Sequence, residues 1–149
     1  MATSKEKAMF IKLDLEKAYD RVSWEFLGHV LLTFGFDMEW VDWILSCVTS
    51  PSFSVLINGE PTNLFSASRG LRQGDPISPY LFIIMVEGLG RFIEFQAAQG
   101  IVQGWKWHKD IPAYMHLQFL DDTGQMGLAT INEARNLRWI LDTYLKASR

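Results

Sequence analysis

The amino-acid sequence predicts a single α+β unit, and three features point to it. Asn58-Gly59 stands between Phe53/Val55/Ile57 and Leu64/Phe65, the pattern of a type I′ hairpin turn. Two apolar runs far apart in the chain, Phe10–Asp14 and His116–Asp122, read as strands that end in aspartate. Stretches 24–34, 38–48, 80–98 and 131–146 carry helix patterns with their own start and stop signals.

Composition sets the bounds. A chain of 149 residues can bury one sizeable core and is too short to suggest two domains. Hydrophobic content of 48% with 13% aromatic excludes a disordered chain. A net charge of −3 argues against a self-sufficient nucleic-acid binder, which would carry a basic face. The single cysteine, Cys47, excludes an internal disulfide and a cysteine-based zinc site, and its apolar neighbours predict burial. The longest apolar run, Tyr80–Val86, is far short of a membrane span, and the polar start carries no signal-peptide segment. An intracellular, soluble chain with no membrane partner is expected, with nothing to choose between nucleus and cytoplasm.

Taken in order, Ala8–Leu15 reads as a short strand with Phe10, Lys12 and Asp14 on one face. Ser23 is a suitable N-cap for a helix whose inner face is Trp24, Leu27, Leu31 and Phe34, with Gly35 as its stop. Asp37 caps a second helix that buries Trp40, Ile44 and Cys47 and ends at Ser50-Pro51. After the hairpin, Ser68–Pro79 is rich in turn residues, and Ser78-Pro79 opens a helix that is apolar almost all round and therefore covered on more than one side. Gly88, Gly90 and Gly100 suit close packing and termination. Ile101–Trp107 is a candidate edge strand, and Met115–Leu120 is the strand that delivers Asp121-Asp122. Thr123–Leu128, with two glycines, is poor strand material. Thr130-Ile-Asn-Glu133 is a capping box for a last helix with Ile131, Ala134, Leu137, Leu141 and Tyr144/Leu145 inward.

The chemistry-bearing residues are Asp14, the loop Arg72-Gln73-Gly74-Asp75-Pro76, and Asp121-Asp122. Adjacent carboxylates gain nothing in a core and need a cation or solvent. Carboxylates pooled from two strands can hold two Mg²⁺ ions roughly 3.5–4 Å apart, aligning a nucleophilic and a leaving oxygen on phosphorus. Mg²⁺ suits such a site because it takes hard oxygen ligands and shares substrate phosphates. A glycine-flanked loop with Gln and Arg suits close approach to a nucleotide. The histidines His29, His108 and His116 show no ligand spacing.

Three segments carry a resemblance. Lys12-Leu-Asp-Leu-Glu-Lys-Ala-Tyr-Asp-Arg-Val-Ser-Trp-Glu-Phe-Leu27 resembles motif A of the reverse transcriptases of LINE-type (non-LTR) retrotransposons. Gly70-Leu-Arg-Gln-Gly-Asp-Pro-Ile-Ser-Pro-Tyr-Leu-Phe82 resembles their motif B, and His116-Leu-Gln-Phe-Leu-Asp-Asp-Thr123 their motif C. The three stand in the family's order at a spacing compatible with it, and the similarity spans nearly the whole chain and is greatest to plant versions.

The resemblance implies a polymerase palm, an antiparallel sheet backed by helices, with residues 1–149 forming one partial domain from which fingers and thumb are largely absent. It implies an RNA-directed DNA polymerase using Mg²⁺, with Mn²⁺ an acceptable substitute, on an RNA template, a DNA primer and dNTPs. Asp14 and Asp121 are the implied metal ligands together with the backbone carbonyl of Leu15, and Asp122 is a supporting acid. Tyr19 matches the bulky residue that rejects a 2′-hydroxyl; Gln73 and Gly74 would contact the incoming nucleotide or template, and Arg72 the phosphates or template. Missing segments, or another chain, would then be needed to grip nucleic acid.

Two departures stand out. Leu120 replaces the usual small residue before the acid pair, and Gly124-Gln125-Met126-Gly127 replaces an apolar strand after it, so a frayed hairpin is expected there. A non-catalytic truncated remnant is accordingly the alternative function. A phosphoacceptor receiver would need alternating parallel β/α units, against which the Asn58-Gly59 hairpin speaks.

Overall fold

The computed structural model describes residues 7–14, 17–106, 116–119 and 122–148, with positions 14, 117–119 and 122 described by their backbone alone. Strand Ala8–Asp14 (β1) is followed by a single 3₁₀ turn at Tyr19–Arg21 and by helices Trp24–Thr33 (α1) and Met38–Thr49 (α2). Four short strands come next: Ser52–Phe53 (β2), Leu56–Ile57 (β3), Glu60–Pro61 (β4) and Phe65–Ser66 (β5). Helix Ser78–Ala98 (α3), strands His116–Phe119 (β6) and Asp122–Leu128 (β7), and helix Ile131–Ala147 (α4) complete the order. Every ladder between these strands is antiparallel. The architecture is the α+β arrangement expected, an antiparallel sheet with helices.

Contacts gather into two units, Met1–Glu16 with Val86–Ala147, and Lys17–Met85 with Ser148–Arg149, the division falling inside α3. In the first, the sheet order is β1-β7-β6, so β7 is the central strand. That overturns the expectation of a frayed segment after Asp122. Gly124 pairs with Lys12 on one side and Leu117 on the other, and Gly127 pairs with Met9. A glycine in a strand costs roughly 0.5–1 kcal/mol, and a ladder on both edges of β7 outweighs it. At Gly127 the missing side chain is also needed: a Cβ there would lie 3.0 Å from Glu133 Cγ and 3.4 Å from Leu137 Cδ1.

Leu89 and Ile93 of α3, Val102, and Leu137 and Ile140 of α4 form the core of this unit, with Met9 and Ile11 of β1 packed against it. The alternation in β1 leaves Phe10 and Lys12 exposed, the face read from the sequence. Gly90 allows the close packing anticipated for α3, since a Cβ there would be 2.7 Å from Nε2 of His116. Gly100, at φ +75°, follows the end of the helix.

Three further expectations for this unit fail. Ile101–Lys106 forms no strand beyond an isolated bridge at Trp105, and Trp107 lies outside the described residues. Val102 turns into the core at 2% exposure, and the amides of Gln103 and Gly104 donate to Glu133 Oε1 at 2.9 and 3.2 Å. These groups therefore serve a carboxylate and not a neighbouring strand. The capping box is correspondingly half formed: Thr130 Oγ1 accepts from the Glu133 amide at 3.1 Å, while the Glu133 carboxylate reaches the 103–104 loop. Ile131 is exposed because it lies two positions from buried Glu133, on the other side of α4.

In the second unit, Ser23 and Asp37 cap α1 and α2 as expected, accepting from the amides of Phe26 and Glu39. Gly35, at φ +88°, ends the first of these helices. Gly28 sets their closeness, since a Cβ there would meet Leu45 Cδ1 at 3.2 Å. The buried side of α2 is Val41 and Ile44, flanked by half-buried Leu45 and Val48. Cys47 is therefore exposed, contrary to expectation, and Trp40 is half-buried and stacked on Phe36. The true stripe follows i, i+3, i+4, i+7 from Val41, one residue out of phase with the one anticipated. Phe34, past the end of α1, is likewise exposed.

The hairpin turns at Asn58 and Gly59, both with positive φ (51° and 89°), as a type I′ turn requires. Its ladder is split into β3·β4 and β2·β5. Thr62 bridges the break: its amide donates to Val55 O and its hydroxyl accepts from the Val55 amide.

Candidate active site

β1 ends at Asp14 and β7 begins at Asp122, and these two residues are partners across the antiparallel ladder. Phe119 at the end of β6 is the partner of Asp122 on the other side, so β6 and β7 are joined through Leu120 and Asp121 alone. Motif A and motif C, distant in sequence, are thus adjacent strands whose acid-bearing ends coincide. Leu15, Leu120 and Asp121 lie outside the described residues.

Tyr19 opens the 3₁₀ turn, and three hydrogen bonds fix that turn to the start of motif B. Leu71 N donates to Tyr19 O and Gly70 N to Val22 O, each at 2.8 Å, while Trp24 Nε1 donates to Gly70 O at 2.7 Å. Gly70 adopts φ +97°, and a Cβ on it would stand 3.0 Å from the carbonyl oxygen of Asp20. Only glycine allows so close an approach in that conformation. The Tyr19 ring is stacked on Phe82 of α3, centroids 4.8 Å apart and planes 18° from parallel. Nothing local in the sequence links these two rings. The one available hint is that Phe82 falls on the helix that follows the motif B loop.

The loop itself is short and self-supported. Arg72 pairs with Asp75 at 2.8 Å, and the other carboxylate oxygen of Asp75 accepts from the Ile77 amide at 3.1 Å, shaping the turn into α3. The Arg72 side chain is 52% exposed; an exposed pair of this kind is worth roughly 0–1 kcal/mol. Arg72 can therefore exchange Asp75 for a phosphate at little cost. Gln73 and Gly74 are exposed at the loop tip, Gly74 with φ +86° and open space around it. Asp75 belongs to the loop that the sequence marks as chemistry-bearing, whereas Gly70, Trp24 and Phe82 carry no site role in the sequence reading; of these three only Gly70 has a local signal, as a glycine in a turn-rich run.

The donors implied by the resemblance, two aspartates and the Leu15 carbonyl, would be a hard-oxygen set, which is the chemistry Mg²⁺ takes and thiolate metals do not. Among the described side chains no group of three His, Cys, Asp or Glu could hold a metal ion. No helix among the described residues is long and apolar enough to cross a membrane.

The sequence profile of the reverse transcriptase (RNA-dependent DNA polymerase) family matches residues 1–148. An uncharacterized mitochondrial protein of Arabidopsis thaliana is 47% identical over 68 residues, which are 46% of this chain and 56% of that protein. A retrovirus-related Pol polyprotein from the type-1 retrotransposable element R2 of Popillia japonica is 35% identical over 79 residues, 53% of this chain and 13% of that one. An uncharacterized 149 kDa protein of transposon TX1 of Xenopus laevis is 35% identical over 78 residues, 52% of this chain and 6% of that one. The chain spans part of each relative. These matches agree with the LINE-type resemblance of its three motifs, and the chain belongs to the reverse transcriptase family, the RNA-dependent DNA polymerases.

Proposed function

We propose that the chain carries the nucleotidyl-transfer centre of a retroelement RNA-directed DNA polymerase, joining dNTPs to a primer 3′-hydroxyl on an RNA template. The register partnership of Asp14 and Asp122 carries this reading, because it unites the acid-bearing ends of motifs A and C. Asp14, Asp121 and the Leu15 carbonyl would hold Mg²⁺ or Mn²⁺, with Asp122 as a supporting acid. Bound divalent metal would supply Lewis-acid stabilisation of charge on phosphorus and activation of the attacking hydroxyl. Tyr19 would lie against the sugar of the incoming nucleotide and exclude a 2′-hydroxyl by contact. Arg72, on release from Asp75, would neutralise phosphate charge, and Gln73 and Gly74 would offer polar and backbone contacts to nucleotide or template.

Mn²⁺ titration followed by electron paramagnetic resonance tests the metal assignment. Binding by the wild-type chain that is lost in Asp14→Ala/Asp121→Ala supports it; identical binding by both proteins sinks it. Polymerisation is tested by extension of oligo(dT) on poly(rA). With a net charge of −3 the chain has little electrostatic hold on phosphate backbone, so short, Asp121-dependent products are expected and processive synthesis is not.

A second reading, a non-catalytic remnant, is favoured by one feature of β7. Gln125 is fully buried, and both of its amide atoms lack a hydrogen-bond partner among the described residues. No extension product and no Mn²⁺ binding would select it.

A further inference from the structure

The backbone of the Tyr19 turn is tied by the Leu71 and Gly70 amides, which donate to Tyr19 O and Val22 O, but those bonds do not involve the Tyr19 ring. Phe82 is the aromatic partner that holds it. Phe82 is 5% exposed, on the buried side of α3, whereas Tyr19 is half-buried, so one face of its ring is covered and the rest is accessible. A ring that selects by contact must resist displacement, since a shift of a few tenths of an ångström would relieve the clash it exists to impose. Flat support from behind resists that shift; an aliphatic side chain of similar volume leaves the ring free to tilt.

We propose that Phe82 is a specificity-determining positioning residue, the backing against which Tyr19 discriminates deoxyribose from ribose. Phe82 acts only through Tyr19, so the inference stands on the sugar-selecting role proposed for that ring. It adds that discrimination is set jointly by motif A, which supplies the ring, and by α3 beyond the motif B loop, which sets its tilt.

The test compares equilibrium binding of dCTP and CTP to the full chain, with Mg²⁺ present, by saturation-transfer NMR, alongside thermal unfolding. Tyr19→Ala is expected to bring the two affinities together. Phe82→Leu is expected to lower the dCTP preference about two- to ten-fold, the range that loss of one aromatic pair corresponds to. Phe82→Tyr, which keeps the flat ring, should retain the preference, and Phe82→Leu in a Tyr19→Ala background should lower it no further. If Phe82→Leu does not fold, Phe82→Met reads the same ratio with an unbranched side chain. Equal ratios in wild type and Tyr19→Ala would overturn the sugar-selecting role itself. A ratio that falls with Tyr19→Ala but holds in a folded Phe82→Leu or Phe82→Met would overturn the inference alone. So would a uniform loss of affinity for both nucleotides, which marks packing without positioning.

Discussion

Gly127 in the central strand lies directly beneath Glu133: a Cβ at position 127 would stand 3.0 Å from Glu133 Cγ and 3.1 Å from its Oε1. Glu133 cannot easily withdraw, because that same oxygen accepts from the Gln103 and Gly104 amides. One carboxylate thus links α4, the loop after α3 and the strand that starts at Asp122. Gly127→Ala is therefore expected to destabilise the chain by about 1–3 kcal/mol through overpacking. Urea unfolding of Gly127→Ala, Glu133→Ala and the double variant checks it. Because the first change injures what the second removes, the two losses should be less than additive. Full additivity would mean that the two residues do not share a contact.

Gln125 points to a gain. It sits in β7 between Ile11 on β1 and His116 on β6, at 0% exposure, with neither amide atom bonded to a described group. Burial of an unpartnered amide costs on the order of 1–3 kcal/mol. Gln125→Leu keeps the volume and removes the cost, so its thermal midpoint should rise, at unchanged circular dichroism. A lower midpoint would show that the amide has a partner in solution.

What the sequence made legible follows from how local each signal is. Ser23, Asp37 and Asn58-Gly59 were readable because a cap or a tight turn is decided within a few residues. Apolar alternation identified β1, which ends at Asp14, and β6, which leads into the acid pair. β7 was misread because the glycine penalty is local while the two ladders that outweigh it come from distant segments. Glu133 was misread for the same reason: the capping box describes a reciprocal local pair, and its carboxylate found two amides 30 and 29 positions earlier in the chain. At Cys47 the helix was right and its rotation was not, an error of one residue in choosing the buried stripe. The Tyr19–Phe82 stack has no local signature at all.

Tyr144 predicts an alkaline limit. Burial pushes its phenol well above the ordinary value of 10, offset in part by a hydrogen bond with the Leu89 backbone. Since the native state keeps the proton where the unfolded chain has lost it, stability is whole below pH 10 and falls as pH rises beyond it. Tyr144→Phe abolishes that linkage while leaving an aromatic ring beside the core. Its stability at neutral pH should drop slightly, by roughly 0.5–1.5 kcal/mol for the lost hydrogen bond. Its urea midpoint should then decline less than that of wild type between pH 9 and about 11. Parallel declines would show that Tyr144 does not govern the alkaline limb.

The join between motifs A and B makes the sharpest demand on a single residue. Gly70 combines φ +97° with backbone atoms of Asp20 at 3.0–3.2 Å from where its Cβ would be. Neither partner can yield freely, since Leu71 N to Tyr19 O and Gly70 N to Val22 O hold the turn and the loop together at 2.8 Å. Gly70→Ala is therefore expected to cost about 2–4 kcal/mol, the sum of a left-handed backbone penalty and a forced separation. Gly59 is the control, with φ +89° and nothing within 4 Å, so Gly59→Ala carries the conformational penalty alone, about 1–2 kcal/mol. Urea midpoints of the two variants measure the difference. A Gly70→Ala loss well above that of Gly59→Ala, accompanied by a change in the Tyr19 ring resonances in NMR, would show that the motif B loop positions Tyr19. Equal losses with unchanged Tyr19 resonances would show that the join tolerates the extra carbon and that the motif B loop does not set the position of the Tyr19 ring.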